Sequence, residues 1–241
     1  MRQLIAKNRR NSWILIFLFL LVIAGLGVLL SYLAGDGGGF FIIAILYGVF
    51  SVIGSYYIGD KMVLKSVGAV QIEQKDDTEL FQTVENLAIT AGIPMPKVYL
   101  IPDQALNAFA TGRDPEHASV AITQGLRQAL TKPELEAVMG HELSHIKHYD
   151  IRVMLFTAVL VGMIIFLSDI LWRVSLGGGR SNNKKGAGPL ILIALVLGLI
   201  GAPIAAQLIK LAISRKREFL ADAGSAMLTR YPEGMISALQ K

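Results

Sequence analysis

Thr131-Lys132-Pro133-Glu134-Leu135-Glu136-Ala137-Val138-Met139-Gly140-His141-Glu142-Leu143-Ser144-His145 is the stretch on which the reading of this chain turns. Thr131 with Glu134 three residues later forms a capping box, and Pro133 sits in the first turn, so a helix starts here and runs to about His148. Leu135, Val138 and Met139 supply its apolar face. The four-residue spacing of His141 and His145 puts both imidazoles on one side, about one turn apart, where they can share one zinc ion. Glu142 lies beside that metal but not on it, placed to deprotonate a zinc-activated water. This is the pattern that hydrolyses peptide bonds.

A catalytic zinc keeps three protein ligands and one open position. The chain has no cysteine, which excludes a disulfide scaffold, a thiol nucleophile and thiolate ligation, and leaves His, Asp and Glu. The extended motif with a third histidine needs Gly at 148 and His at 151, where this chain has His148 and Ile151. His148 is a weak candidate, because three ligands on one straight helix fit a tetrahedral ion poorly; it reads as a cation at the helix C-terminus. His117 follows Asp114-Pro115-Glu116 and reads as a solvated surface residue. A carboxylate from another helix remains, and the downstream glutamates are Glu218 and Glu233. Glu218 sits in Arg217-Glu218-Phe219-Leu220-Ala221-Asp222, with Asp222 one turn on, placed to accept the second N–H of a metal-bound histidine. Glu233 follows Tyr231-Pro232 in a turn and has no such partner. The competing reading of Glu218 is a surface ion pair with Arg215 or Lys216.

Around this motif the 241 residues are unusually apolar, 53% hydrophobic and 17% charged. Soluble domains carry roughly 25% charged residues. The excess is concentrated in runs. Asn11 to Gly35 and Gly37 to Gly59 are uncharged and each exceeds the roughly 20 residues that cross a bilayer as a helix. The apolar core of the first is too long for a signal peptide, and no small-residue cleavage site precedes the second, so that reading is excluded. Arg2, Lys7, Arg9 and Arg10 place the N-terminus inside, and the chain returns at Asp60, Lys61 and Lys65. A third run, Val153 to Ser168, and a fourth, Gly186 to Ile209, flank a Gly/Ser/Asn-rich linker bearing Arg173, Arg180, Lys184 and Lys185. They read as two further spans or as a re-entrant hairpin; either returns Lys210 to the side the chain left. The net charge of +5 then reports cytoplasmic flanks against an anionic lipid bilayer, with no nucleic acid involved. Transport sites place ionisable groups inside spans. The first, second and fourth runs contain none, which argues against a transporter or a non-catalytic zinc-containing scaffold.

Between Asp60 and Asp150 the composition is that of a soluble domain. Thr78 to Ala91 reads as an amphipathic helix broken by Gly92-Ile93-Pro94-Met95-Pro96. Lys97 to Ile101, Asn107 to Thr111 and Ala118 to Thr123 read as short strands. The expected organisation is a transmembrane hairpin over 1–59, a first catalytic part with the zinc helix over 60–150, hydrophobic segments with a basic loop over 151–209, and a second catalytic part over 210–241.

His141-Glu142-Leu143-Ser144-His145-Ile146, Glu218-Phe219-Leu220-Ala221-Asp222 and, upstream, Asn107-Ala108-Phe109-Ala110-Thr111-Gly112 together resemble peptidase family M48, in particular its bacterial membrane proteases. The likeness extends over the whole chain. It implies an α+β gluzincin-type zinc metalloprotease domain on a helical membrane protein of about four spans. It implies one Zn2+ per chain held by His141, His145 and Glu218, with Glu142 as catalytic base and Asp222 behind the ligands. It also implies an endopeptidase of the inner membrane facing the cytoplasm, whose polypeptide substrates are misfolded membrane proteins removed in quality control. The alternative is a dedicated processing peptidase of lipidated or membrane proteins. Asn107, Ala108 and Phe109 would lie on the strand edge that binds an extended substrate through its main chain. Family members continue past the Glu218 helix into a Thr-His-Pro-Pro stretch and a later Arg. The resemblance therefore implies that 210–241 is C-terminally truncated, or that the chain is a short member, with the oxyanion-steadying groups outside it.

Overall fold

The computed structural model describes residues 2–177, 209 and 215–241. The fourth hydrophobic run and the basic residues Arg180, Lys184 and Lys185 lie outside these, apart from Ile209. The chain divides into two compact units. One comprises 1–11, 57–155 and 213–241; the other comprises 12–56 and 156–212.

Helices α1 (Arg2–Ala34) and α2 (Gly39–Ser66) carry the two uncharged runs, and both are long and apolar enough to cross a membrane. Gly35, Gly37 and Gly38 take positive φ in the turn between them, where the Asp36 carboxylate accepts from the N–H groups of Gly38 and Phe40 and so caps α2. Gly27 lies so close to α2 that a Cβ there would fall 2.9 Å from Phe41 Cα. Small residues of this kind let helix backbones approach in lipid.

The other unit holds a four-stranded sheet of β1 (Val70–Gln71), β2 (Lys97–Ile101), β3 (Ala108–Gly112) and β4 (Ala118–Thr123) in the order β1-β2-β4-β3. β2 and β4 are parallel, and the outer pairs are antiparallel. β3 is therefore an edge strand. It starts one residue later than the alternation predicts, because Asn107 already leaves the ladder. β1 and the short helix α4 (Gln124–Ala129) escaped the sequence reading: two exposed residues and a six-residue helix carry no periodic signal. The sheet and two helices, α3 (Thr78–Ala91) and α5 (Lys132–Lys147), share one core, in which Leu80 and Val84 meet Val120, Ile122, Leu135, Met139 and Leu143. Asp77 caps α3 by accepting from Leu80 N–H, and Gly92 ends it in the left-handed region at φ 68°.

α5 ends at Lys147, and the chain turns by 83° before α6 (Asp150–Gly177), a helix longer than the third hydrophobic run. Tyr149 absorbs the turn at φ 61°, a conformation costly for a bulky side chain. After the undescribed stretch come α7 (Arg215–Thr229) and α8 (Glu233–Ala238). α8 grips the start of α5. The Glu134 carboxylate accepts from Thr131 N–H at 2.7 Å, from Lys241 Nζ at 2.6 Å and from Ser237 Oγ.

Those donors, Lys241 and Ser237 foremost, pull the Glu134 carboxyl down to about 2 from an ordinary 4.5. Folding thus holds it ionised at a pH where the unfolded chain would protonate it. Its contribution is complete above about pH 4.5 and drains away as the pH falls to about 2. Wild type and Glu134→Gln, melted side by side in detergent, should differ most in Tm above pH 4.5 and converge towards pH 2. A gap that widens on acidification would contradict this account.

Candidate metal centre

The two histidines stand on the last turns of α5, and Glu218 and Asp222 stand on the first half of α7. The helices can cross this closely because the contact is built from small residues. A Cβ on Gly140 would meet Ser225 Cα at 3.4 Å, and one on Gly224 would fall 2.9 Å from Ser144 Cβ. Ala221, Ser144 and Ser225 are fully buried there. Their hydroxyls stay satisfied within the crossing, Ser144 Oγ donating to Gly140 O and Ser225 Oγ to Ala137 O. No lost hydrogen bond offsets the packing.

Across this contact His141 Nε2 lies 3.1 Å from His145 Nε2, and Glu218 Oε2 lies 3.5 Å from the first and 3.8 Å from the second. Four ligands at 2.0–2.1 Å around a tetrahedral zinc are about 3.3 Å apart, so these donors match such a site in size. The donor chemistry matches as well. His141 Nδ1–H donates to Asp222 Oδ1 at 2.9 Å, and His145 Nδ1–H donates to Asp150 Oδ2 at 3.2 Å. Each ring therefore keeps its Nε2 lone pair for a cation. Among the described residues one other group of donors bunches comparably, Asp114, Glu116 and His117. It is an exposed turn in which His117 bonds to Asp114, which agrees with the solvated role expected of that histidine.

The Peptidase family M48 pattern matches residues 74–241. The protease HtpX homologue of Tropheryma whipplei strain Twist is 42% identical over 241 residues, all of this chain and 81% of that protein. The homologue of Streptococcus pneumoniae strain Hungary19A-6 is 44% identical over 247 residues, covering 98% of this chain and 82% of its own. The chain belongs to peptidase family M48. It is a membrane metallopeptidase. The crystal structure of S. mikatae Ste24p shares the fold at a TM-score of 0.55 and 22% identity, covering 99% of this chain, which spans 59% of that one.

In this M48 peptidase Glu142 is buried, at 9% exposure. Burial raises its carboxyl to about 7, against the opposing pull of the His145 charge and of the N–H that Ala110 donates to it. Ala110 can donate because of strand register. Thr123 N–H donates to Asn107 O, so residues 107, 109 and 111 turn their main chain towards β4. Ala108 and Ala110 turn theirs outward, towards the free edge. The two imidazoles are set apart electrically. Burial and the neighbouring His145 lower His141. For His145, burial alone would lower it, but the Asp150 hydrogen bond and the charges of Glu142, Asp150 and Glu218 raise it. His148 caps α5, as the sequence places it, yet burial, with Lys147 and His145 adding to it, lowers its pKa, so the expected cation is disfavoured.

The sequence reading missed Asp150. It lies five residues beyond His145, where a straight helix would carry it round to another face. Nothing in the residue type at Tyr149 announces the turn that brings it back.

Gly224→Val tests the crossing. The added side chain strikes Ser144 beside a fixed Cβ, and overpacking of this kind costs about 1–3 kcal/mol. The variant should melt lower and, because Glu218 is pushed off the histidines, should also bind less than one zinc per chain by elemental analysis. A destabilised variant with full zinc would show that the crossing does not set the ligand spacing.

Proposed function

We propose that this chain is a zinc-dependent endopeptidase of the cell membrane that degrades misfolded membrane proteins, with its catalytic unit facing the cytoplasm. His141, His145 and Glu218 hold one Zn2+ per chain, and Asp222 fixes the His141 ring from behind. The observation that carries this reading is the meeting of three donors from two helices at the spacing of a tetrahedral site, with a buried carboxylate one residue along.

A zinc ion bound there supplies Lewis-acid activation of water and of the scissile carbonyl. Glu142 takes the proton of the attacking water and returns it to the leaving amine. A carboxylate raised towards neutrality by burial suits both transfers, since a base works best when its pKa lies near the working pH. Glu218 has 41% of its side chain exposed while His145 is buried, which supports access for substrate on the Glu218 side. Substrate lies along the free edge of β3, at Asn107, Ala108 and Phe109, with the outward main chain of Ala108 forming the bonds. Main-chain pairing of this kind ignores side-chain identity, as degradation of varied polypeptides requires.

The cytoplasmic orientation rests on Arg2, Lys7, Arg9 and Arg10 before the first span and Lys61 and Lys65 after the second. On this reading residues 153–171 and 186–209 complete a four-span arrangement, which brings α7 back to the side of α5.

Four variants purified in detergent separate the roles, with zinc measured beside cleavage of an unfolded membrane-protein substrate. Glu142→Gln should keep zinc and lose about 100-fold or more of the rate. Glu218→Gln should lose both. Asp222→Asn should fall between, by about 10- to 100-fold in affinity or activity. His148→Ala should keep zinc. Cleavage by wild type should stop with a chelator, resume with zinc, and favour the unfolded over the folded form of one substrate. Full zinc and activity in Glu218→Gln, or cleavage untouched by the chelator, would overturn the assignment.

A further inference from the structure

A neutral histidine ligates through Nε2 only while its proton is held on Nδ1, so whatever accepts that proton also sets the ring's tilt. His141 has Asp222, one turn from Glu218 on α7. His145 has Asp150, on the first turn of α6. Asp150 is 2% exposed, and a carboxylate so buried requires fixed donors. Asn8, 6% exposed, meets that requirement from the far end of the chain. Its Nδ2 donates to Asp150 Oδ1 at 2.6 Å and to His148 O at 2.9 Å, so both amide hydrogens are used and both sides of the Tyr149 turn are tied. The next residue, Arg9, lays its guanidinium 5.2 Å from the centroid of the Tyr149 ring. The buried Arg217 adds a positive charge that acts on Asp150.

We propose that Asp150 is the positioning residue for His145, and that Asn8, in the segment before the first hydrophobic run, holds Asp150 in place. The N-terminal segment then belongs to the metal site as well as to the membrane anchor. This rests on the reading of His145 as a ligand. Asn8 acts on the ion only through Asp150 and His145.

The full chain in detergent tests this through metal affinity, measured by competition with a chromophoric chelator, and through the visible spectrum of the cobalt-substituted protein. Asp150→Asn should bind zinc about 10- to 100-fold more weakly and shift the cobalt bands. Asn8→Ala should weaken binding by about 3- to 10-fold, the size of one hydrogen bond. Asn8→Asp, nearly the same shape but facing Asp150 with like charge, should weaken it at least as much; a residue that merely filled space would tolerate it. Within Asp150→Asn, adding Asn8→Ala should cost less than about twofold, because the coupled pair is already broken. If Asp150→Asn does not fold, Asp150→Glu and the two Asn8 variants carry the same comparison. Wild-type affinity and cobalt spectrum in both Asn8 variants would overturn the proposal while His145→Ala still abolished binding. Retention of zinc by His145→Ala would instead remove the ligand reading and the proposal with it.

Discussion

On the proposed reading, three ligands for one ion must come from elements that can approach to within a few ångströms, and that demand falls on the crossing of α5 and α7. Side chains of ordinary size at Gly140, Ser144, Ala221, Gly224 and Ser225 would hold the two backbones apart and leave Glu218 short of the histidines. The crossing is polar enough to be specific and small enough to be close. Each serine hydroxyl returns its hydrogen bond to a carbonyl of α5, so the contact contains no uncompensated polar group among those hydroxyls.

The carboxylates around the candidate centre sit in different surroundings. Glu142 is buried against the sheet, with the Ala110 N–H as a donor, and its proton affinity rises to the range where it can both take and return a proton. Glu218 and Asp222 are each nearly half exposed and close to imidazoles. Asp150 is wholly buried and bonded at both oxygens, to His145 and Asn8. On the proposed reading Glu142 moves a proton, while Asp222 and Asp150 orient imidazole rings through the hydrogen bonds they accept.

What could be read from the residues alone was whatever is encoded within one short stretch of chain. The capping box at Thr131 and Glu134, the paired histidines, the helix over Thr78–Ala91, the strands Lys97–Ile101 and Ala118–Thr123, and the pairing of Glu218 with Asp222 all lie within four to fourteen residues of their own signals. The start of β3 was displaced by one residue because Asn107 bonds to Thr123 without continuing the ladder. β1 was invisible, since two exposed residues form a strand only because Leu100 and Tyr99 are there to pair with them. Asp150 was invisible for a longer-range reason: its meeting with His145 depends on positive φ at a tyrosine, and its meeting with Asn8 joins residues 142 apart.

Helix α5 is fastened on both sides of His141 and His145. At its start Glu134 takes Thr131, Ser237 and Lys241, joining α5 to α8. At its end Asn8 and Asp150 hold the turn after Lys147. In the middle Gly140 and Ser144 meet α7. Asn8, Ser225, Ser237 and Lys241 reach this helix and its end from 88 to 142 residues away, and closing such loops costs entropy that grows only with the logarithm of their length. A long hydrophobic insertion between His145 and Glu218 is therefore tolerable, provided the three contacts around α5 are strong enough to bring the ends back. His141 and His145 lie on α5 between its attachment to α8 at Glu134 and its attachment to Asn8 after Lys147.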